Sequence, residues 1–479
     1  MNPSTPSPRR TNPIIYYAIG ILVLFVAMGF YTEHLNRLKA QQGLGEATIG
    51  QVDTGSFMLK LALLGGARGV AANVLWTRAI DLQKVHEWDR LMATVNLITK
   101  LQPHFLSVWT FQGWNLAYNV SVEWDAAEDK YEWIKKGIVF LKDGVSKNEN
   151  SPDLVWDTAW TYYHKIGFAD EAVVLRKLFH DDEDKDFKTY IDAKTGVAYE
   201  RSDNFQLGYG WFSNAVAKVD AGQERLASQV ETPVEYVDKP TQRKGRPGDL
   251  AFRSMPAHAQ TRYAIGLEKE SIKDYPAVFG EFAQIEWNRA FNEWLQFGQY
   301  PFPAFNDPDQ MIYLDDSTNL ERYNKLSDNA KYWTTRWSDQ MNYRYWKDRS
   351  AAEMEKKGVE ARQLFYEGFK ALKAGRFVDE KDKNGNLRKG AVTCYREGLE
   401  LWKDVLSHHP DYRNDELNMK DTGHIVKRYL FALRQAGMEP PPDIPFLDKA
   451  KAVQDDRTID PFDALEVIHT PSKVKHSSR

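Results

Sequence analysis

One segment of this sequence spaces its oxygen-bearing side chains as a calcium-binding loop does. Glu380, Asp382 and Asn384 occupy alternate positions and are followed by Gly385. Oxygen ligands at alternate positions before a glycine are typical of an EF-hand loop. The twelfth position of such a loop would be Ala391, which cannot supply the bidentate carboxylate. We therefore predict an Asn-Gly turn that joins two short strands, with calcium binding as the alternative.

The other residues that could carry chemistry are scattered. The single cysteine, Cys394, excludes an intramolecular disulfide and a cysteine-based metal site. His408 and His409 adjoin Pro410 at a predicted helix end, where a cation complements the helix dipole. The acidic run at residues 180–186 is typical of a solvated loop. The sequence contains no His-Glu-x-x-His pair and no Gly-x-Ser-x-Gly elbow, so we assign no catalytic residue, metal ligand or cofactor site.

Composition limits which class of protein this chain can belong to. The 479 residues include 63 basic and 67 acidic ones, for a net charge of -4, so the chain lacks the basic footprint of a nucleic-acid-binding protein. Hydrophobic residues make up 42% of the chain, which is enough for a sizeable core at this length.

An apolar segment near the N-terminus predicts a membrane anchor. Residues 14–31 read IIYYAIGILVLFVAMGFY and carry no charge. As a helix they would span roughly 27 Å, which is close to the hydrocarbon thickness of a bilayer. A cleavable signal peptide is the alternative, with residues 27–29 as a small-x-small cleavage site.

The orientation of this anchor follows from the flanking charges. Arg9 and Arg10 lie directly before the apolar segment, which favours a cytoplasmic N-terminus, although Arg37 and Lys39 on the other side weaken the bias. We expect a single-pass protein of the inner (cytoplasmic) membrane with the bulk of the chain on the extracytoplasmic or periplasmic side.

Helical periodicity dominates the rest of the chain and suggests a division into segments. These segments are an N-terminal tail at residues 1–13, the transmembrane helix at 14–31, a juxtamembrane linker at 32–55, a helical region at 56–183, a loop-rich insertion at 184–250, a second helical region at 251–436 and a Pro-rich, polar tail at 437–479. We expect helices to open near Pro103, Pro152 and Pro256, because proline is favoured in a first helical turn. Within the insertion, Thr195-Gly196 predicts the turn of a small β-hairpin.

The fifteen tryptophans allow two interpretations. Tryptophan at helical spacing usually fills the core between helices, and we favour that interpretation. The alternative is that some of them line a ligand groove.

The C-terminal region resembles a known repeat. Gly368, Ala371 and Gly375 have the spacing of the first helix of a tetratricopeptide (TPR) repeat and its turn. The small, aromatic, small and proline positions of the second helix are matched by Gly398, Trp402, Val405 and Pro410. Partial matches occur elsewhere: Ala283, Trp287 and Ala290, and also Trp109, Gly113 and Leu116.

The chain therefore resembles membrane-anchored bacterial proteins with degenerate TPR-like repeats, in separated patches over about half its length. The resemblance implies a mainly α fold of TPR-like helical hairpins, stacked as an irregular solenoid and interrupted by loop and β-hairpin insertions. It implies that Ala371 and Trp402 meet between the two helices of the C-terminal hairpin. It carries over no catalytic residue.

Two functions of different classes are compatible with these patterns. The favoured one is a membrane-tethered, non-enzymatic scaffold of the cell envelope that binds a partner protein or peptide through the TPR-like helical surface. The alternative is an enzyme or enzyme accessory subunit whose site is assembled from non-local residues near the insertion at 184–250.

Overall fold

The computed structural model describes residues 68–223, 249–268 and 276–452. Within them the chain is mainly helical with three small two-stranded sheets, which confirms the predicted helical class. The predicted anchor and its linker lie in residues 1–67, which are outside the described residues. The predicted tail from residue 453 onward and residues 224–248 of the predicted insertion also lie outside them. Among the helices of the described part, none is both long enough and apolar enough to cross a membrane.

The described residues form two compact units, and the helix Ala127–Lys147 contributes to both. The first unit holds residues 68–123 and 136–149. Its elements are α1 (Arg68–Lys84), α2 (Trp88–Leu101), α3 (Leu106–Trp114) with a π-helical continuation (Asn115–Val120) and a 3-10 turn (Ser121–Glu123), and the second half of α4 (Ala127–Lys147).

Close backbone approach joins α3 to α4 in the first unit. A Cβ on Gly137 would lie 2.8 Å from the carbonyl oxygen of Gly113, so only glycine fits there. Trp109 is buried beside Phe140, with ring centroids 4.7 Å apart. Its indole donates a hydrogen bond of 2.8 Å to the carbonyl of Pro103, which orders the turn that precedes α3.

The second unit holds the first half of α4 and residues from 150 onward. Its helices are α5 (Pro152–Trp160), α6 (Ala172–Asp181), α7 (Asn204–Asp220), α8 (Asp249–Leu267), α9 (Glu281–Gln299), α10 (Leu320–Asn324), α11 (Asp328–Gln340), α12 (Tyr343–Met354), α13 (Lys356–Lys373), α14 (Ala391–His408), α15 (Pro410–Arg413), α16 (Glu416–Gln435) and α17 (Leu447–Ala452). The strands pair in sequence: β1 (Thr189–Ile191) with β2 (Ala198–Glu200), β3 (Phe302–Ala304) with β4 (Asp307–Ile312), and β5 (Glu380–Lys381) with β6 (Leu387–Arg388).

Helices that are close in sequence in the second unit pack as neighbours, although shorter helices lie between some of them. α7 packs against α5 and α8, α8 packs against α9, and α9 packs against α12. α13 packs against α14, and α14 against α16. Large aromatic side chains fill these interfaces, including the fully buried Trp287, Trp294 and Tyr343, which confirms the core interpretation for these two tryptophans.

The helix starts show where the proline signal works and where it fails. Ser151 caps α5 by accepting the N–H of Leu154, and Pro152 is the first helical residue, as predicted. The expected start at Pro256 is wrong, because α8 begins at Asp249 and runs through the proline. Burial of this helix on its neighbours outweighs the hydrogen bond that the proline removes.

The insertion at 184–250 contains a helix that the sequence pattern did not indicate. Residues 204–220 form α7, so the expectation of loops and strands is wrong there. Asp203 caps the helix by accepting the N–H groups of Phe205 and Gln206. The helix is buried between α5 and α8, and a helix buried on several sides lacks the one-sided pattern of an amphipathic helix.

Both predicted β-hairpins form. The first closes through Thr195 and Gly196, and Gly196 has a φ of 70°. The second closes through Asn384 and Gly385, whose φ is 82°. Asp382 accepts the backbone N–H groups of Asn384 and Asn386, so its carboxylate organises the turn.

The C-terminal hairpin of α13 and α14 forms, but one expected contact does not. Ala371 and Trp402 are buried in different clusters, so the prediction that they meet is wrong. The helices are antiparallel, and Trp402 lies opposite Phe365, with ring centroids 6.4 Å apart. Ala361, which is ten residues or roughly 15 Å along α13 from Ala371, belongs to the Trp402 cluster.

Candidate functional site

Four ring-bearing side chains lie along one face of α5 and its continuation, at a spacing of four residues. Trp156, Trp160, His164 and Phe168 stack in order, with centroid distances of 5.3, 4.8 and 6.0 Å. The first two pairs are nearly parallel, at 9° each. All four are partly exposed, and Phe168 is 38% exposed. We call these four residues the aromatic row.

A π-helical turn keeps this row on one side. α5 continues as the π-helical residues Thr161–Lys165 and a last α-helical turn, Ile166–Phe168. In an α-helix, a step of four residues rotates about 40° beyond a full turn, so a row at this spacing drifts around the helix. A π turn holds more residues and reduces that drift. Such insertions often mark functional sites.

The helix α8 places its own side chains along the aromatic row. Phe252 lies near the start of the row, with its ring 6.3 Å from that of Trp156. Arg262 lies at the end, where its guanidinium carbon is 5.0 Å from the Phe168 ring centroid and 5.9 Å from that of Trp346 on α12. The guanidinium is therefore flanked by aromatic rings from two different helices.

Arg262 carries the positive charge at this end of the aromatic row, because the ionisable side chains beside it are neutral. His258 packs against Trp294 and Trp346, at 4.8 and 5.4 Å. Burial, together with the positive charge of Arg262, lowers the pKa of His258 to about 4, so this imidazole is neutral at pH 7. Burial raises the pKa of the Tyr163 phenol, and the charge of Arg262 and its hydrogen bond to the phenol oxygen oppose that rise.

Arg262 has no acidic partner in the described part of the chain, since no carboxylate there lies within 4 Å of it. Its Nε atom is buried without a hydrogen-bond partner, and so is the indole nitrogen of Trp156 at the other end of the row. Buried donors are nearly always paired in folded proteins. Each end of the aromatic row therefore contains a buried donor that has no acceptor among the described residues.

In a second set of residues, which we call the paired network, the arginines are matched by buried carboxylates. It consists of Arg349, Glu353, Arg362, Glu268 and Tyr412. Glu353 is 2% exposed. Its Oε2 lies 2.5 Å from Nη1 of Arg362, in an ion pair without hydrogen-bond alignment. Its Oε1 accepts a hydrogen bond of 2.7 Å from Tyr412 and lies 3.4 Å from Nε of Arg349.

Glu268 completes this network. Arg362 donates two hydrogen bonds to its carboxylate, at 2.5 and 2.7 Å, and the indole of Trp287 donates a third at 3.1 Å. Burial raises the pKa of Glu268, and the charge of Arg362 opposes this. Burial lowers the pKa of Arg362, but the two carboxylates more than offset that effect and raise it. The network ties α8, α9, α12, α13 and α15 together.

The residues considered in the sequence are dispersed in the structure. His409 lies between two carboxylates: Asp348, 2.7 Å from Nδ1, and Glu355, 2.9 Å from Nε2. The Cys394 thiol is buried, and burial raises its pKa to about 11. Where the structure describes the chain, no group of three or more His, Cys, Asp or Glu side chains is arranged to hold a metal.

The acidic run at 180–186 is only partly a solvated loop. Asp182 accepts hydrogen bonds from Lys135 at 2.8 Å and from Tyr131 at 2.7 Å. Burial raises its pKa, but these contacts outweigh burial and lower it. Asp184 lies 3.2 Å from Lys135 as well. The run therefore anchors α4 to the segment after α6.

Sequence reasoning missed the aromatic row, although a signal for it was present. Trp156, Trp160, His164 and Phe168 are visibly four residues apart. Tryptophan at helical spacing was assigned to the core, and the partial exposure that distinguishes a groove is a tertiary property. In comparisons with known proteins, no family model matches this chain, and no curated protein is significantly similar to it.

Proposed function

We propose that this chain is a non-enzymatic scaffold, tethered to a membrane by residues 14–31, which binds an extended segment of a partner protein along the aromatic row. The observation that carries the proposal is the row itself: four stacked, partly exposed rings on one helix face that end at a guanidinium with no carboxylate within 4 Å among the described residues. Aromatic and arginine side chains supply most of the binding energy in protein interfaces.

The order of helix packing supports a solenoid-like interpretation of this surface. α5, α7, α8, α9 and α12 pack one after another, and the site draws its side chains from α5, α8 and α12. In stacked helical hairpins, the alternate helices line one continuous face, and such faces bind extended peptides. The proposal therefore places the partner across these three helices.

The geometry of the row favours a peptide over a sugar. Stacked rings cover each other's faces, so what they present outward is mainly their edges. Ring edges carry partial positive charge and attract carbonyl oxygens, of which an extended peptide has one per residue. A sugar would require an open ring face.

Co-purification of the full-length protein from mildly solubilised membranes tests the proposal. Trp160→Ala and Phe168→Ala should each reduce recovery of the partner by about tenfold or more, because a central aromatic anchor contributes about 2 kcal/mol. Leu417→Ala is the matched control, since Leu417 is an apolar residue of α16 that is 66% exposed. Equal recovery with all three variants, each folded by circular dichroism, would rule the row out as the binding surface.

The tether has its own test. Removal of residues 1–31 should release the chain from membranes in a folded, helix-rich form. A reporter that works only outside the cytoplasm, fused after Arg479, should be active in the full-length protein. A truncated chain that still sediments with membranes after a carbonate wash would contradict the assignment of the anchor.

A further inference from the structure

Arg262 is partly exposed, and the residues that the structure describes supply no counter-ion for it. Aromatic rings flank it at 5.0 and 5.9 Å, its Nε is buried, and the described residues offer no carboxylate within 4 Å. A guanidinium loses hydration in such a site and regains little from the ring faces. A carboxylate that enters the site gains a charge-assisted, bidentate interaction in partly dry surroundings.

Within the part of the chain that the structure describes, Arg262 is the positive charge of this surface that remains for a ligand. Arg349, whose guanidinium carbon is 5.8 Å from the Trp346 ring centroid, is already matched by Glu353. His258 carries no charge at pH 7. Burial lowers the pKa of Lys165 on the π turn, and the charge of the nearby Glu171 carboxylate opposes this. A ligand with one negative charge therefore matches this corner, and a phosphate group with nearly two charges would need a cluster of cations.

The position of Arg262 within the aromatic surface determines where that charge lies in the ligand. The guanidinium lies 5.0 Å from the ring of Phe168, at the end of the aromatic row, and 5.9 Å from the ring of Trp346 on a different helix, α12. A peptide that ended at Arg262 would leave one of these rings uncovered. A peptide that passes Arg262 places an apolar residue against each ring and a carboxylate between them.

We propose that Arg262 binds the side-chain carboxylate of a single internal Asp or Glu of the partner segment, with apolar or aromatic residues on both sides of that acid. This inference rests on the function proposed above, because it names the ligand of the same surface. It defines a short motif: apolar, acidic, apolar, in an extended conformation.

Selection of displayed random peptides on the full-length protein in lipid nanodiscs tests the motif. The peptides have about twelve residues, which is long enough to follow the row at roughly 3.3 Å per residue, and both of their ends are joined to the display scaffold. The wild-type protein should enrich an internal Asp or Glu at least about tenfold between apolar residues. Arg262→Gln should abolish the acidic enrichment but keep the aromatic one, and Arg262→Glu should select Lys or Arg at the same place.

Arg336→Gln is the matched control, because Arg336 is an exposed arginine of α11 that has no carboxylate within 4 Å among the described residues. It should leave the selection unchanged. Acidic enrichment that survives Arg262→Gln would overturn the inference. Peptides that bind only through a free C-terminal carboxylate, or a preference for single-stranded oligonucleotides over peptides, would overturn it as well.

Two further outcomes separate this inference from the proposed function. Peptides that depend on Trp160 and Phe168 but show no acidic preference would refute the role of Arg262 and leave the scaffold function intact. Failure to select any peptide that depends on the row would refute the scaffold function itself.

Selection that succeeds only after removal of residues 453–479 would show that the chain's own tail fills the site, and the partner motif would then be wrong.

Discussion

Arg262 and Arg362 lie in the same helical unit, and each guanidinium lies beside at least one aromatic ring, but their charges are balanced in different ways. Arg362 contacts two carboxylates, Glu268 and Glu353, and lies 5.6 Å from the Trp287 ring. Arg262 contacts rings at similar distances and no carboxylate in the described residues. Aromatic surroundings alone therefore do not identify an arginine that binds a ligand. What separates a structural arginine from a candidate ligand-binding one is whether the fold supplies the acid.

The largest effect is expected from breaking the paired network. Glu353→Ala leaves Arg349 without a carboxylate among the described residues and Arg362 with Glu268 alone, and removal of one partner of a buried ion pair costs about 3–5 kcal/mol. Chemical denaturation of the full-length protein in detergent micelles, followed by circular dichroism, measures the change. Glu360→Ala is the control, because the exposed Glu360 lies 3.8 Å from Lys356 and should contribute within about 0.5 kcal/mol. Similar values for both variants would mean that the network does not stabilise the fold.

A smaller effect is expected from His409, which connects α12 to the end of α14. Burial lowers its pKa, but hydrogen bonds with Asp348 and Glu355 more than offset this and raise it. Since the folded pKa exceeds the unfolded one, the stabilisation is fully present below the unfolded value of about 6.5 and is lost as the pH rises through the folded value.

Comparison with His409→Gln measures this contribution. The difference in melting temperature between wild type and variant should shrink as the pH increases from about 6 to about 9. The neighbouring Asp411, whose pKa is raised by burial and by the Asp348 charge, is present in both proteins and cancels from the difference. A difference that stays constant over this range would contradict the account of the imidazole as a cation between two carboxylates.

Replacement of each arginine by methionine should affect stability in opposite directions, and the effect at Arg262 is expected to be the smaller one. Arg262→Met removes a cation that the fold does not neutralise, so stability should stay constant or rise by up to about 1 kcal/mol. Arg362→Met removes a cation that two carboxylates require and should cost about 3–5 kcal/mol. The same denaturation assay compares them. A loss above about 2 kcal/mol for Arg262→Met would place Arg262 among the structural residues and end the comparison.

The smallest effect is expected at the exposed hairpin of β5 and β6. Replacement of residues 379–389 by a short Gly-containing turn should change the unfolding free energy by less than about 1 kcal/mol, because loop-closure entropy depends weakly on length. Leu387 in this hairpin is 65% exposed and adds little to the core. A larger loss, or one reversed by calcium, would revive the EF-hand interpretation of this loop.

Part of this structure follows from the sequence for local reasons. Ser151 and Pro152 start α5 because cap and first-turn preferences act within a few residues, and Gly196 and Gly385 close hairpins because their backbone conformation favours glycine. By contrast, α7 was missed because a helix buried on several sides shows no one-sided pattern.

The site itself depends on contacts that are distant in sequence. The spacing of Trp156 and Trp160 was visible, but their partial exposure depends on α8 and α12. No local pattern separates Arg262 from Arg362, because the acids that neutralise Arg362 lie on other segments, at Glu268 and Glu353. Electrostatic balance is therefore the property that only the folded chain reveals.

Site-specific photo-crosslinking in cells that naturally produce the protein detects a partner that lies on the aromatic row. A benzophenone amino acid replaces Phe168 of the aromatic row in the full-length chain, or Leu417 on α16 as the control position. We expect an adduct with one partner protein at position 168 and none at position 417. Arg262→Glu in the same chain should remove the adduct. Equal crosslinking at both positions, or an adduct at 168 that is indifferent to Arg262→Glu, would contradict the assignment of this surface.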